Sequence, residues 1–383
     1  DRPRSPGPRR ARHPPAAHRQ VPRVEPRDRR DTVHDRHPRV PRDAGSIDAD
    51  NAGNPYTGEY RLGATVYLND PFGLGDLASL RLLTSGSGLK YGRASYQVPF
   101  GRVTAGVAYS KLDYELGKQF EVLRAHGTAD VASAYATVPL VRSRDSNLYA
   151  GLAYDAKKFR DQIDLFNSVI DKKARVATLS LYGNHQDSIG GGGMSTFFTS
   201  LSAGSLDIQS PDALAADAIT ARTNGGYNKF WFDVTRVQRI TDRVSLRGEV
   251  SGQLASKNLD PSEKFVLGGM DGVRAYPQGE GFGDQGYIAS VEASLLLAGL
   301  SEHVPGQVHV LGFVDGGRIT INKNPWSVGD NERTLGSYGV GMTWDAPGNF
   351  AVRTYYARKL GNEEALSAPD KTGRFWIQAV KFF

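Results

Sequence analysis

Residues 243–254 read RVSLRGEVSGQL, and this pattern constrains the fold more than any other feature of the chain. Val244, Leu246, Gly248, Val250, Gly252 and Leu254 fall on one side, and Arg243, Ser245, Arg247, Glu249, Ser251 and Gln253 on the other. Successive side chains of a strand point to opposite faces, so the segment is a strand with one apolar and one polar face. Residues 59–68, EYRLGATVYL, repeat it, with Tyr60, Leu62, Ala64, Val66 and Leu68 opposed to Glu59, Arg61 and Thr65. So do residues 286–297, where Tyr287, Ala289, Val291, Ala293, Leu295 and Leu297 are set against Ser290, Glu292 and Ser294.

Two architectures accept such strands. A soluble sandwich hides the apolar face in its core, whereas a membrane barrel turns it to lipid and lines the lumen with the polar face. Length separates the two. These segments run to about 10–13 residues, beyond the roughly 5–6 of soluble sheets and close to the 9–11 that cross a bilayer at a tilt. Lipid supplies no hydrogen-bond partners, so the sheet must close on itself, as even-numbered antiparallel barrels do. The expected fold is therefore all-β, a transmembrane antiparallel β-barrel of about 16 strands. The strands are placed at 44–52, 57–68, 75–84, 89–98, 102–113, 122–138, 147–158, 173–186, 193–204, 226–238, 243–255, 286–297, 306–317, 335–345, 349–358 and 374–383. Short turns at 99–101 and 346–348 suit the periplasmic side. Longer connections at 159–172, 205–225 and 256–285 suit the exterior.

Composition agrees once the tail is set apart. A mean hydropathy of −0.42 is compatible with a membrane barrel, because only alternate residues need be apolar. No run of 18 apolar residues offers a transmembrane helix. The absence of Cys fits an oxidising compartment, although many cytosolic chains lack it too. The net charge of +6 belongs to residues 1–43, where 13 Arg face six acidic residues; the remainder carries −1. That segment also holds nine Pro and four His and almost no large apolar residue, so it is expected to be a disordered tail. It reads as a basic arm, as a solvated tail, or as out-of-frame translation of GC-rich DNA. The third fits the composition best and implies that the true N-terminal part is missing or misread. No nucleic-acid partner is expected. The barrel domain is assigned to residues 44–383.

The last strand, RFWIQAVKFF, carries Phe375, Ile377, Ala379 and Phe383 on one face. A terminal aromatic on an alternating strand resembles the signal read by the barrel-assembly machinery; a soluble edge strand ending in Phe would look the same. Lys381 interrupts the apolar face, at a height where its long stem can snorkel.

The connection at 264–287, KFVLGGMDGVRAYPQGEGFGDQGY, is Gly-rich yet carries Val273, Arg274, Ala275 and Tyr276 in a row. Further on stands Phe313-Val314-Asp315-Gly316-Gly317, whose alternation turns Phe313 and Asp315 inward with Gln307, His309 and Leu311. Here, and in residues 54–80, the chain resembles the transporters of two-partner secretion, the TpsB family of the haemolysin and filamentous-haemagglutinin type. The resemblance runs from about Ser46 to Phe383. The family's loop carries Val-Arg-Gly-Tyr, with Gly where Ala275 stands, and Ala is costly there only if the backbone is left-handed.

The resemblance implies a loop folded back into the lumen, with Arg274 on Asp315 of the inner wall beside Phe313 and Gly317. It implies a pore in the Gram-negative outer membrane that exports a secreted exoprotein and contacts membrane lipid and the barrel-assembly machinery. It also implies two periplasmic domains ahead of the barrel, which residues 1–43 do not supply. A bidentate guanidinium–carboxylate pair is the physical content of the loop motif.

Nothing points to enzymatic chemistry. Gly190 to Gly193 lack the Lys-Ser/Thr of a phosphate loop, and no G-x-S-x-G or H-E-x-x-H occurs. His126, His185, His303 and His309 lack metal-ligand spacing, so neither metal nor cofactor is expected. Lumenal Glu249 and Glu292 read as structural. The alternatives to export are a truncated remnant or passive pore, and a related outer-membrane assembly factor.

Overall fold

The computed structural model describes residues 43–86, 88–300 and 304–383; of the expected tail, only Asp43 lies among them. The first half of the sheet comprises β1 (Asp43–Asp50), β2 (Arg61–Asn69), β3 (Leu77–Thr84), β4 (Leu89–Phe100), β5 (Val103–Glu115), β6 (Ala125–Arg142), β7 (Ser146–Ile163) and β8 (Ser168–Asp187). It continues with β9 (Gly193–Ile208), β10 (Gly225–Arg239) and β11 (Val244–Ala255). Two short strands, β12 (Phe265–Val266) and β13 (Phe282–Gly283), pair only with each other inside a loop. The wall resumes with β14 (Gln285–Leu296), β15 (Gln307–Thr320), β16 (Glu332–Ala346), β17 (Phe350–Lys359) and β18 (Gly373–Phe382).

Each wall strand pairs antiparallel with its neighbours, and β1 pairs with β18 to close a barrel of sixteen strands. All sixteen expected strands are present. Leu152, Val291 and Val340 on the outer face are about three-fifths exposed, while inward Thr65, Thr178 and Gln253 are buried. An apolar exterior around a polar interior is the pattern of a barrel in lipid. Among the described residues no helix is long and apolar enough to cross a membrane, which says nothing of crossing by strands.

Three expectations are corrected. The connection at 159–172 is not a long loop: β7 and β8 run on to Ile163 and Ser168 and turn through Asp164–Phe166. Above the bilayer the outer face becomes charged, so apolar alternation fades while the hydrogen-bonded ladder persists. Residues 205–225 likewise extend β9 to Ile208 and then form a helix, α1 (Pro211–Ile219), with Pro in its first turn. The second strand starts at Arg61 rather than at residue 57, because the backbone N–H of Gly53 donates to the carbonyl of Glu59 and ties those residues into a turn.

At the opposite rim Phe383 exchanges main-chain hydrogen bonds with Gly45, and its ring is largely exposed on the outer face. Lys381 does not dangle in lipid, since its ammonium donates to the Asn349 side chain in the turn before β17.

Candidate functional site

The barrel's main apolar cluster lies inside the lumen. Leu267, Met270, Val273, Ala275 and Tyr276, from the loop between β11 and β14, are buried against Leu311, Phe313, Leu335, Tyr355 and Trp376 of the wall. The loop is itself a compact hairpin. Leu267 N–H donates to Gly281 O (2.9 Å), Gly268 N–H to Glu280 O (2.8 Å) and Val273 N–H to Leu267 O (2.9 Å). Glycine is required at the fold-back: Gly269 sits at φ +128°, and a Cβ on Gly268 would stand 2.6 Å from that of Glu280.

Arg274 is presented at the hairpin tip and is 1% exposed. Its Nε and Nη2 donate to the two oxygens of Asp315 at 2.9 and 2.6 Å, the bidentate geometry that suits a guanidinium and a carboxylate. Nη1 donates to Glu292 (2.8 Å) and Nη2 also to Ser290 Oγ (2.9 Å). Asp315 further accepts from Ser290 Oγ and Ser337 Oγ, both at 2.8 Å, and from the Arg274 backbone N–H at 3.2 Å. The guanidinium lies over the Phe313 ring, 3.5 Å from its centroid, with Tyr355 at 5.0 Å. Burial disfavours the Arg274 charge, but hydrogen bonding to Asp315 and the charges of Asp315 and Glu292 outweigh it and raise its pKa. Trp376 of β18 donates Nε1–H to the Arg274 carbonyl (2.7 Å), so hydrogen bonds tie the tip to three wall strands, β14, β15 and β18.

The other motif residues gather at the same place. Val273 and Ala275 are fully buried, and Ala275 is not among the non-glycine residues with positive φ, so it replaces Gly without backbone strain. The Tyr276 hydroxyl donates to Glu363 O (3.0 Å), and Lys359 stands over its ring. Gly317 faces the loop so closely that a Cβ there would lie 2.6 Å from Leu267 Cδ1. Phe383 lies apart from this group, at the rim.

Sequence reading did not assign Ser290, Glu292, Ser337 or Trp376 to Arg274. Alternation placed Ser290 and Glu292 on the inner face, but nothing local says which inward residues meet a loop many residues distant. It also missed a second set of anchors. Glu280 is fully buried and accepts from Arg333 and from the backbone N–H groups of Leu366 and Ser367. Asp284 pairs with Lys264 (3.0 Å). On the far wall Glu263 meets Lys157 of β7 and Lys229 of β10 (2.7 Å), and Asp260 meets Lys172 of β8 (3.0 Å). The loop therefore bridges the lumen, anchored by carboxylates at one end and by Arg274 at the other.

Burial would raise the Glu263 pKa, but the two lysines override it and hold the carboxyl at about 2, below its ordinary 4.5. A depressed pKa means that this anchor contributes fully above about pH 4.5 and is lost as the pH falls through about 2. A nitroxide at position 262 is thus expected to stay immobile from neutral pH to about 5 and to gain mobility only below about 4. Mobility rising already between pH 7 and 5 would show that Glu263 does not hold the loop.

Among the described residues no group of three or more His, Cys, Asp or Glu is placed to hold a metal ion. What this geometry defines is an integral outer-membrane β-barrel with a loop latched inside its lumen.

The chain belongs to the family described as haemolysin secretion/activation protein ShlB/FhaC/HecB, whose model matches residues 34–344. It is 27% identical over 343 residues to the heme/hemopexin transporter protein HuxB of Haemophilus influenzae strain 86-028NP, covering 88% of this chain and 59% of that relative. To the outer membrane transporter CdiB of Dickeya dadantii it is 24% identical, over 73% of this chain and 50% of CdiB. The chain thus spans between half and three-fifths of the length of these relatives. In fold it is similar to CdiB from Escherichia coli, with a TM-score of 0.73 at 18% identity over 91% of this chain and 64% of that one. BamA from Haemophilus ducreyi is also similar in fold, with a TM-score of 0.60 at 13% identity over 89% of this chain and 70% of that one.

Proposed function

We propose that this barrel is the membrane-spanning part of a two-partner secretion transporter, exporting a secreted protein of the haemolysin, haemagglutinin or adhesin type through its lumen. The observation that carries the reading is the fully buried Arg274, held by Asp315 and Glu292 at the tip of a loop that crosses the pore. A loop fixed by buried charge pairs has a bound and a released position with little between, because a half-broken pair leaves unpaired charge. Family membership and the transporter names of the relatives point the same way. The barrel acts as a conduit, without enzymatic chemistry or cofactor, and folding of the partner outside supplies direction.

Export is tested in the native host. Deleting the gene should trap the partner in the periplasm, and supplying the intact gene should return it to the medium. Unchanged partner in the medium after deletion would leave a passive pore as the better description.

Phe383 serves as the residue read by the assembly machinery, supported by its exposed ring at the end of β18. Phe383→Ala is expected to lower the amount of folded barrel in the outer membrane several-fold while leaving the stability of the assembled molecules almost unchanged. Heat-modifiable gel mobility, scored against total protein, checks this; equal folded fractions would remove Phe383 from the role.

A further inference from the structure

The outer face carries a group of cations, Lys158, Lys173 and Arg175, that form no ion pair among the described residues. Along β7 the outward residues are Leu152, Tyr154, Ala156, Lys158 and Arg160; along β8, running the other way, they are Leu179, Ala177, Arg175, Lys173 and Asp171. Apolar surface thus gives way to charge at one height on both strands, just beyond Tyr154. An aromatic at that position marks the edge of the hydrocarbon layer. The height is on the exterior side, since it lies toward the β7–β8 turn, at the same end as the long loops.

The register puts Lys158 directly opposite Lys173, and Arg175 opposite Ala156 beside them. Like charges facing each other across a ladder destabilise it, so the arrangement needs a counter-charge. The carboxylates across the ladder, Asp130 and Asp207, form no ion pair with these cations among the described residues, and each is engaged by another side chain. Asp130, across β6 from Lys158, accepts from the Tyr109 hydroxyl. Asp207, across β9 from Lys173, accepts from the Gln209 side chain (2.6 Å), whose own oxygen takes the Lys173 ammonium (2.9 Å). Two other cations of this rim are paired: within the same two strands Arg160 lies 3.8 Å from Asp171, and Arg318 is bound to Glu332.

We infer that Lys158, Lys173 and Arg175 bind the phosphate groups of lipid A, the phosphorylated glycolipid of the outer leaflet, with its acyl chains lying against Leu152, Tyr154 and Leu179. The ligand fits in charge and in height. Arg175 offers a fork for two phosphate oxygens, and the lysines supply point charges. Ala156 and Ala177 leave the space beneath them open to the sugar backbone. This inference rests on the outer-membrane location alone, so it stands or falls separately from export.

The test uses the purified barrel in detergent, titrated with diphosphorylated lipid A and with its dephosphorylated form, bound lipid being counted by native mass spectrometry. The K158Q/K173Q/R175Q variant is expected to bind the phosphorylated form roughly a hundredfold more weakly than the wild type. Arg318→Gln, which removes a cation already paired on the same rim, should match the wild type. Heat-modifiable mobility confirms that both variants are folded. Three results would overturn the assignment: a triple variant within about threefold of the wild type, a wild type that does not distinguish the two lipid A forms, or equal competition by phosphatidylglycerol, which would mean a generic anionic surface.

Discussion

Replacing Arg274 by Ala is expected to free the loop from the wall while the barrel stays intact. The guanidinium meets Asp315 through two nitrogens, and Glu292 and Ser290 besides, in a place where Asp315 is 1% exposed. Truncation leaves Asp315 buried without a cation, with only the hydroxyls of Ser290 and Ser337 and the backbone N–H of residue 274 as donors, a loss on the order of 3–5 kcal/mol, while Glu292 keeps Arg247 at 3.6 Å. The wall does not share that loss, because β14 and β15 are joined by a main-chain ladder from Gln285–Thr320 to Leu296–His309. Hydrogen exchange on the reconstituted barrel separates the two. Amides of residues 267–276 should exchange roughly two to three orders of magnitude faster in the variant, and those of 307–320 at the wild-type rate. Unchanged protection of the loop would mean that apolar packing and the Glu280 and Glu263 anchors suffice without Arg274.

Gly317→Val is expected to displace the same loop without touching a charge. A Cβ at position 317 would lie 2.6 Å from Leu267 Cδ1, 2.7 Å from the Tyr287 carbonyl and 3.1 Å from Ile288 Cγ1. Two of these neighbours belong to the wall, so the loop must give. Its Leu267 is fully buried and supports the hairpin through bonds to Gly281 and from Val273. Overpacking of this kind costs about 1–3 kcal/mol, less than the loss of Arg274, and should open the loop partially. In planar bilayers the variant is expected to show larger and noisier conductance than the wild type, with Gly317→Ala in between. Equal conductance in all three would place the barrier to ion flow somewhere other than this loop. Because the two substitutions act on one loop through different contacts and unrelated physics, agreement between them identifies loop position as the cause.

The barrel was legible because its signal is local. Residues 243–254 and 286–297 announce a strand and its two faces from period-2 alternation, and the structure pairs them in the register Val244–Leu295 to Gln253–Gly286. The signal faded where the environment outside the strand changed. Between residues 159 and 172 the outer face meets water rather than lipid, so alternating apolar residues are absent although both strands continue. Helix α1 was missed for a different reason: nine residues carry too few turns to show a period, and only Ser210-Pro211 marks its start. Within the candidate site, Arg274, Phe313, Asp315 and Gly317 could be named from the sequence because motifs carry them. Glu292, Ser337 and Trp376 could not, since Glu292 and Trp376 meet Arg274, and Ser337 meets Asp315, only when sixteen strands close, and closure is a property of the whole ladder.

Secretion of the partner by cells carrying the Arg274→Ala protein, at equal amounts of folded barrel, tests the central claim most directly. Partner in the medium, measured against partner retained in the periplasm, should fall at least about tenfold relative to wild type, with the barrel still heat-modifiable. Wild-type secretion from that variant would contradict the account, leaving the buried Arg274–Asp315 pair as a structural feature of a pore that exports by other means.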